Sequence, residues 1–276
     1  MFPWRRILVP TDFSTASRWV FDQAIGAAGI TGAEIVVLHV RITQPSNRDT
    51  LRFPADSSVY EYVEQKELEV LRRHIHRADE NLRTRLIVRT GPDAAAEIAA
   101  TAEDEQVDLI VMATHARHHI PHLFIGSTTL KVLAGCVVPI LAIRYGIRKP
   151  LGIEKLLIVV DEPSPPPELA ESIAGLLEQD QGGEIVFAAT TDPSEEDAQK
   201  RLTLWRASLP GIPSKTIMVD SERDLIRIPE SEACPLIVVA PVCERGGRLA
   251  GISEYVIRHT DRPVLIVPNR SNQPES

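Results

Sequence analysis

The chain has 276 residues, of which 43% are hydrophobic and 25% are charged, and its formal net charge is −8. This composition is ordinary for a globular protein, and the negative charge argues against a general nucleic-acid binder, which would carry a basic face. No apolar run approaches the roughly 18 residues that span a bilayer, and residues 1–6 lack the apolar core of a signal peptide. With three cysteines and no C-x-x-C spacing, the sequence predicts a cytoplasmic protein with reduced cysteines.

Strand and helix patterns alternate through the first half of the chain. Apolar runs predict five strands, at 5–10, 34–40, 84–90, 107–113 and 139–144. Amphipathic or alanine-rich segments predict four helices, at 14–30, 57–81, 93–105 and 127–135. The predicted N-caps are Ser14, Ser57 and Asp93.

The second half shows the same alternation. It predicts strands at 155–160, 184–190, 214–219, 235–240 and 263–267. It predicts helices at 166–180, 194–208 and 251–259, with a short segment at 222–228. Apolar strands that alternate with helices favour parallel sheets covered on both faces. In such sheets a ligand binds beyond the carboxyl ends of the strands, where the strand order reverses.

Four short segments of the first half recur in the same order in the second. ILVPTD at 7–12 resembles LIVVD at 157–161, and the other matched pairs are 34–37 with 184–187, 109–111 with 236–238, and 139–141 with 263–265. An ordered repeat of this kind indicates a duplicated unit. We therefore expect one domain at 1–147, a second at 151–270 and a tail at 271–276. We also expect the last strands, 140–144 and 264–267, to pair with each other, because exposed apolar sheet edges favour aggregation.

A loop with four histidines separates the fourth strand from Gly126-Ser127-Thr128, which opens a helical pattern. Free backbone N–H groups at a helix start bind anions, and phosphate is a common occupant. The triplet is interpreted either as a phosphate site or as an ordinary helix start. Asp12 has two interpretations as well, as a ligand contact or as the N-cap of the first helix.

Four segments of the first half share a known pattern: Val9-Pro10-Thr11-Asp12-Phe13-Ser14, Leu38-His39-Val40, Met112-Ala113-Thr114-His115 and Gly126-Ser127. Together they resemble the universal stress protein family. The resemblance covers 4–144, and a weaker copy covers 154–268. It implies an α/β fold of two tandem, five-stranded parallel-sheet domains that are Rossmann-like and similar to the adenine-nucleotide alpha hydrolases.

One branch of that family binds ATP through Gly-x-x-Gly, nine residues, and then Gly-Ser or Gly-Thr. The spacing is preserved here at positions 113, 116, 126 and 127, but Ala113 and Ala116 stand where the branch has glycine. Magnesium would enter only with the nucleotide, and no catalytic residue is implied. The resemblance implies a nucleotide site made of Pro10, Thr11, Asp12, Val40, Ala113, Thr114, His115, Arg117, Gly126, Ser127 and Thr128.

The second copy departs further from the ATP-binding pattern. Ala250-Gly251 stands where Gly126-Ser127 stands in the first copy, and the preceding loop is three residues shorter. Residues 1–149 carry 18 Lys and Arg against 17 Asp and Glu, whereas residues 150–276 carry 12 against 21. An acidic surface lowers the local concentration of an anion, so we expect the second copy to bind no nucleotide.

The leading hypothesis is a stress-response regulatory protein that binds ATP in its first domain and acts on an unidentified protein partner, with homodimer formation left open. The alternatives are an interaction module of the same fold without nucleotide, and a weak ATPase. The sequence has no nucleophile elbow and no P-loop, so a dedicated enzyme is not expected. The cluster His115, His118, His119 and His122 has a spacing that matches no established zinc site, and no metal is predicted there.

Overall fold

The computed structural model describes residues 4–43, 58–78, 82–114, 126–146, 151–177, 183–241, 243–244, 248–249 and 251–268. Its first half contains five strands: β1 (Arg6–Thr11), β2 (Glu34–Ile42), β3 (Thr84–Gly91), β4 (Leu109–Ala113) and β5 (Ile140–Ile143). Four helices alternate with these strands: α1 (Thr15–Thr31), α2 (Ser58–Ala78), α3 (Ala94–Asp104) and α4 (Ser127–Gly135).

The second half repeats this alternation with shorter connections. Its strands are β6 (Lys155–Val159), β7 (Glu184–Thr190), β8 (Ser214–Val219), β9 (Leu236–Val239), the two-residue β10 (Cys243–Glu244) and β11 (Arg248–Leu249), and β12 (Val264–Ile266). Its helices are α5 (Pro167–Leu177), α6 (Glu195–Ala207), α7 (Glu222–Leu225), α8 (Ile228–Ser231) and α9 (Gly251–His259).

Ten of these strands form one sheet in the order β3-β2-β1-β4-β5-β12-β9-β6-β7-β8. Neighbouring strands are parallel within each half, as the alternating pattern predicted. Read outward from the middle, the two halves have the same strand order. The fold is therefore α/β with a large, mostly parallel sheet.

The two halves meet through β5 and β12, which pair antiparallel with Leu141 opposite Leu265. The predicted pairing of the last strands is confirmed. Each is the last strand of its own half, but their pairing places them at the centre of the common sheet. The outer edges of that sheet are β3 and β8.

Helices cover both faces of the sheet, since successive strand residues point to opposite sides. One face packs against α1, α2, α5 and α6, and its core includes Ile7, Val9 and Trp205. The other face packs against α3, α4, α7, α8 and α9, and its core includes Leu8 and Ile110.

The element boundaries agree closely with the sequence patterns. Ser14 and Asp93 are N-caps, and their side chains accept hydrogen bonds from the backbone N–H groups of Ser17 and Ala95. Ser57 lies outside the described residues. The short segment expected at 222–228 consists of two short helices, α7 and α8.

The junction between the halves makes a testable contribution to stability. Leu141 is completely buried, so Leu141→Ala is expected to lower the free energy of unfolding by about 2–5 kcal/mol through lost burial and the cavity left behind. Leu204→Ala is the control, because Leu204 is 55% exposed and its truncation is expected to change stability by no more than about 0.5 kcal/mol. Equilibrium urea denaturation measures both, and equal effects would contradict the structure of the junction.

Candidate functional site

The candidate site lies at the carboxyl edge of the first five strands. The strand order reverses between β1 and β4, and such a reversal creates a crevice beyond the strand ends. Thr11 ends β1 and Ala113 ends β4. Val40 follows His39, which pairs with Thr11 across β1 and β2, so Val40 lies level with Asp12.

The structure thus places most of the predicted site residues at one edge of the sheet. His115 and Arg117 lie outside the described residues, as do Ala116 and the histidines at 118, 119 and 122. The residues found together at this edge are Pro10, Thr11, Asp12, Val40, Ala113, Thr114, Gly126, Ser127 and Thr128.

Helix α4 begins directly beyond the end of β4. The backbone N–H of Gly126 donates to the Thr114 carbonyl at 2.8 Å, and the Thr129 hydroxyl donates to the Ala113 carbonyl at 3.1 Å. Gly126 is the N-cap of α4, and no side chain of the described residues caps this helix. Within the described residues, no side chain accepts from the N–H groups of the first turn, and these groups together with the helix dipole favour an anion.

Gly126 is not required by the fold itself. Its backbone has φ −56° and ψ 141°, which any residue adopts. A Cβ added here would meet Thr129 Oγ1 at 3.7 Å and the Thr114 carbonyl at 3.9 Å, both ordinary contacts. A glycine at this position leaves the approach to the helix start open, which is what close contact with a ligand requires.

Asp12 does not cap α1, so that interpretation of Asp12 is wrong. The N-cap is Ser14, whose hydroxyl accepts from Ser17 N–H at 3.2 Å. Asp12 instead accepts from the backbone N–H of Ser14 at 3.0 Å. Its exposed carboxylate is thus tied to its own turn, two residues ahead, because an aspartate readily bonds the backbone just beyond it.

A histidine beneath the site holds the end of β1, and the sequence analysis did not assign it a role. The Nδ1–H of His39 donates to the Thr11 carbonyl at 2.9 Å, a tautomer that follows from the carbonyl being an acceptor. The ring of Phe13 packs against that imidazole with centroids 4.3 Å apart and ring planes tilted by 31°. Phe13 has a left-handed backbone, φ 60°, which is uncommon for a bulky residue and needs such support.

Helix α2 supplies a buried carboxylate to this histidine. Glu64 Oε1 lies 3.6 Å from His39 Nε2, and both Glu64 oxygens accept from Arg41 Nε, at 3.0 and 2.8 Å. Nothing in the sequence distinguishes Glu64 from the other glutamates of α2, because the contact depends on how the helix packs against β2. The network ties α2 to the strand end that carries Thr11.

The pKa of His39 is lowered from its usual 6.5, chiefly because burial disfavours the charged imidazolium. The Thr11 carbonyl and the Glu64 carboxylate act in the opposite direction, and Arg41 reinforces the lowering. His39 is therefore more readily neutral in the folded protein than in the unfolded chain.

The corresponding edge of the second half has different polar groups. Arg201 on α6 donates to three strand-end carbonyls, those of Asp161 at 3.3 Å, Thr190 at 3.0 Å and Asp192 at 3.1 Å. Asp161 accepts from the Ser253 N–H of α9 at 3.0 Å. Burial raises the pKa of Glu162, and the Asp161 charge raises it further.

Two further features concern other classes of site. Among the residues described here, no three His, Cys, Asp or Glu side chains are grouped so as to hold a metal ion. No helix within the described ranges combines the length and apolar character that crossing a membrane requires.

Comparison with known proteins identifies relatives of the first half. A family model described as the universal stress protein family matches residues 3–144. The universal stress protein MJ0577 of Methanocaldococcus jannaschii is 26% identical over 155 residues, which cover 51% of this chain and 95% of that protein.

Two crystal structures resemble the whole chain. A universal stress protein from Archaeoglobus fulgidus has a TM-score of 0.74 and 19% identity, with 99% of each chain covered. The functionally unknown protein PA1789 from Pseudomonas aeruginosa has a TM-score of 0.65 and 15% identity, over 97% of this chain and 94% of that one. At these identities the likeness is one of fold.

The lowered pKa of His39 predicts a pH effect on stability. The unfolded chain binds more protons at His39 below about pH 6.5, so its contribution to stability is present above that pH and is lost as the pH falls. In His39→Asn the amide still donates to the Thr11 carbonyl but does not titrate. We expect the free energy of unfolding to fall less steeply between pH 7 and 5 in this variant than in the wild type. Urea denaturation across this range tests it, with His74→Asn as the control for loss of an exposed histidine, and identical pH slopes in His39→Asn and the wild type would contradict it.

Proposed function

The chain belongs to the universal stress protein family, and from this premise we propose that residues 1–147 form a domain that binds an adenine nucleotide, ATP. Residues 151–270 then form a second domain of the same fold, a tandem copy without nucleotide, followed by a tail at 271–276. In this proposal the protein is a cytoplasmic regulator of the stress response rather than a dedicated enzyme.

The start of α4 carries the proposal. It offers backbone N–H groups that no described side chain caps, at the point of the sheet where the strand order reverses. Gly126 keeps that start open although neither its backbone angles nor its neighbours require glycine. These features are what a phosphate group needs from a helix N-terminus.

We assign the remaining residues of the proposed nucleotide site to the same carboxyl edge of the sheet. Asp12 and Val40 form the adenine end of the proposed site, and Pro10 and Thr11 lead into Asp12. Ala113, Thr114, Gly126, Ser127 and Thr128 form the ribose and phosphate end, joined by His115 and Arg117. Ala113 ends a strand and has no left-handed backbone, so its backbone angles do not require the glycine of the ATP-binding branch. Any magnesium accompanies the nucleotide.

The nucleotide would regulate the protein if it bound one arrangement of the site with higher affinity than another. A ligand shifts an equilibrium only by its difference in affinity for the two states. Nucleotide bound at α4 and at the end of β1 would favour one arrangement of this edge of the sheet. A protein partner that contacts the edge would then recognise that arrangement.

The rival proposal is an interaction module of the same fold that binds no nucleotide. It is favoured by alanine at 113 and 116, where the ATP-binding branch has glycine. Release of adenine nucleotide when the purified protein is denatured would support ATP binding, and its absence together with no binding of added ATP would favour the rival.

The variant Gly126→Ala tests the proposed site directly. The added methyl group has room within the protein, so stability should change by no more than about 1 kcal/mol. It would nevertheless stand between the helix start and a phosphate, and ATP affinity should fall at least about tenfold, or 1.4 kcal/mol. Isothermal titration calorimetry with ATP and Mg²⁺ measures this.

Gly135→Ala is the matched control on the same helix. An added Cβ at Gly135 meets nothing within 4 Å, and the residue ends α4 rather than beginning it. Its ATP affinity should equal that of the wild type. Equal affinities for all three proteins would place the nucleotide elsewhere.

The stoichiometry of binding tests the assignment to one half. Wild-type protein should bind one ATP per chain, because the second half is acidic and its helix start contacts a carboxylate of its own chain. The double variant Gly126→Ala with Ser127→Ala should leave no residual binding at the concentrations where the wild type saturates. Equilibrium dialysis gives both numbers, and a stoichiometry of two would refute the assignment.

A further inference from the structure

Two aspartates occupy equivalent positions in the two halves but contact different helices. Arg6 pairs with Glu34 across β1 and β2, and Lys155 pairs with Glu184 across β6 and β7. Six residues beyond these paired positions lie Asp12 and Asp161. Asp12 bonds within its own turn, whereas Asp161 reaches α9, 92 residues further along the chain.

The carboxylate of Asp161 lies at the N-terminus of α9. Its Oδ2 accepts from the Ser253 N–H at 3.0 Å. A Cβ added to Gly251, the first residue of α9, would lie 3.2 Å from the same oxygen. Gly251 has φ +72°, so both the backbone and the carboxylate favour glycine there.

Asp161 is half-buried and lies among polar groups. Ser253 is completely buried, and its hydroxyl has no hydrogen-bond partner among the described residues. Arg201 fixes the backbone beside the carboxylate by donating to the carbonyls of Asp161 and Thr190. Asp161 is therefore held in place at a helix start that is equivalent to the start of α4.

We propose that Asp161 is the built-in anion of the second half, and that its carboxylate excludes a phosphate group from the start of α9. The proposal deepens the proposed function, on which its link to nucleotide rests, by naming the residue that restricts binding to the first half. The helix dipole and the first-turn N–H groups stabilise one negative charge at this position. A second anion a few ångströms away would be repelled by the first.

The first half shows the opposite arrangement with the same residue type. Asp12 is engaged by Ser14 N–H, and among the described residues no carboxylate lies within 4 Å of the Cβ position of Gly126 at the start of α4. The two halves thus differ in the backbone N–H from which the equivalent carboxylate accepts, that of Ser14 in the first half and that of Ser253 in the second. The loop before α9 is also three residues shorter.

The experiment removes the carboxylate and supplies an external anion. Full-length Asp161→Ala is unfolded with urea in sodium chloride and in sodium phosphate at matched ionic strength. In chloride its midpoint should lie below that of the wild type. Phosphate should restore at least half of the loss, with a saturable concentration dependence that the wild type does not show.

Ser194→Ala is the control for general salt effects on a helix that has lost its cap. Ser194 caps α6 by accepting from the Asp197 N–H at 3.1 Å, and the first turn of α6 is acidic. The urea midpoint of this variant should fall, and sodium phosphate should raise it no more than sodium chloride does at the same ionic strength. Equal phosphate dependence of Asp161→Ala and the wild type would overturn the proposal.

Asp161→Asn provides a second measurement if the alanine variant does not fold. The asparagine keeps the shape and an acceptor for Ser253 N–H but removes the charge. Its urea midpoint should fall because the helix start loses its anion, and phosphate should give no gain because the amide still fills the position. A midpoint equal to that of the wild type would overturn the proposal. No arm of the experiment uses ATP, so failure of nucleotide binding in the first half is detected separately by titration.

Discussion

The antiparallel ladder between β5 and β12 is the constraint on which the whole architecture depends. Leu141 and Leu265 lie opposite each other and are completely buried. Each strand alone would end its half with unpaired backbone groups beside apolar side chains, an edge that invites association with other chains. Pairing within the chain satisfies these groups and merges two five-stranded arrays into one sheet with a continuous core on each face.

The sequence was a good guide to the elements and a poorer guide to their polar contacts. Buried strands such as β4 and β9 are short apolar runs, and helices such as α9 have clear apolar periodicity, so local patterns define them. The cap at Asp93 depends on residues two positions apart and was equally predictable. The role of Glu64 beneath Thr11 and the reach of Asp161 to Ser253 were not, because each depends on packing between elements distant in sequence.

Each half ties a covering helix to the ends of its strands, but the side chains that do so have opposite charges. In the first half, α2 contributes the buried Glu64, which accepts from Arg41 and faces His39. In the second half, α6 contributes Arg201, which donates to carbonyls at the ends of β6 and β7. Both arrangements tie a covering helix to the strand ends, since buried polar groups must find partners. A common backbone therefore supports two edges of different chemistry.

The antiparallel junction also gives the molecule two unlike ends. Because every strand of the second half points opposite to those of the first, the carboxyl edge that carries Gly126 lies at the same end of the sheet as the amino ends of β6, β7 and β8. Those ends carry a charged cluster in which Glu232 pairs with Lys155 and Lys215. That end of the molecule therefore carries both α4 and this charged cluster, whereas Asp161 lies at the far end. The end that holds α4 is thus composite, with the first half supplying the start of that helix and the second half supplying fixed charges.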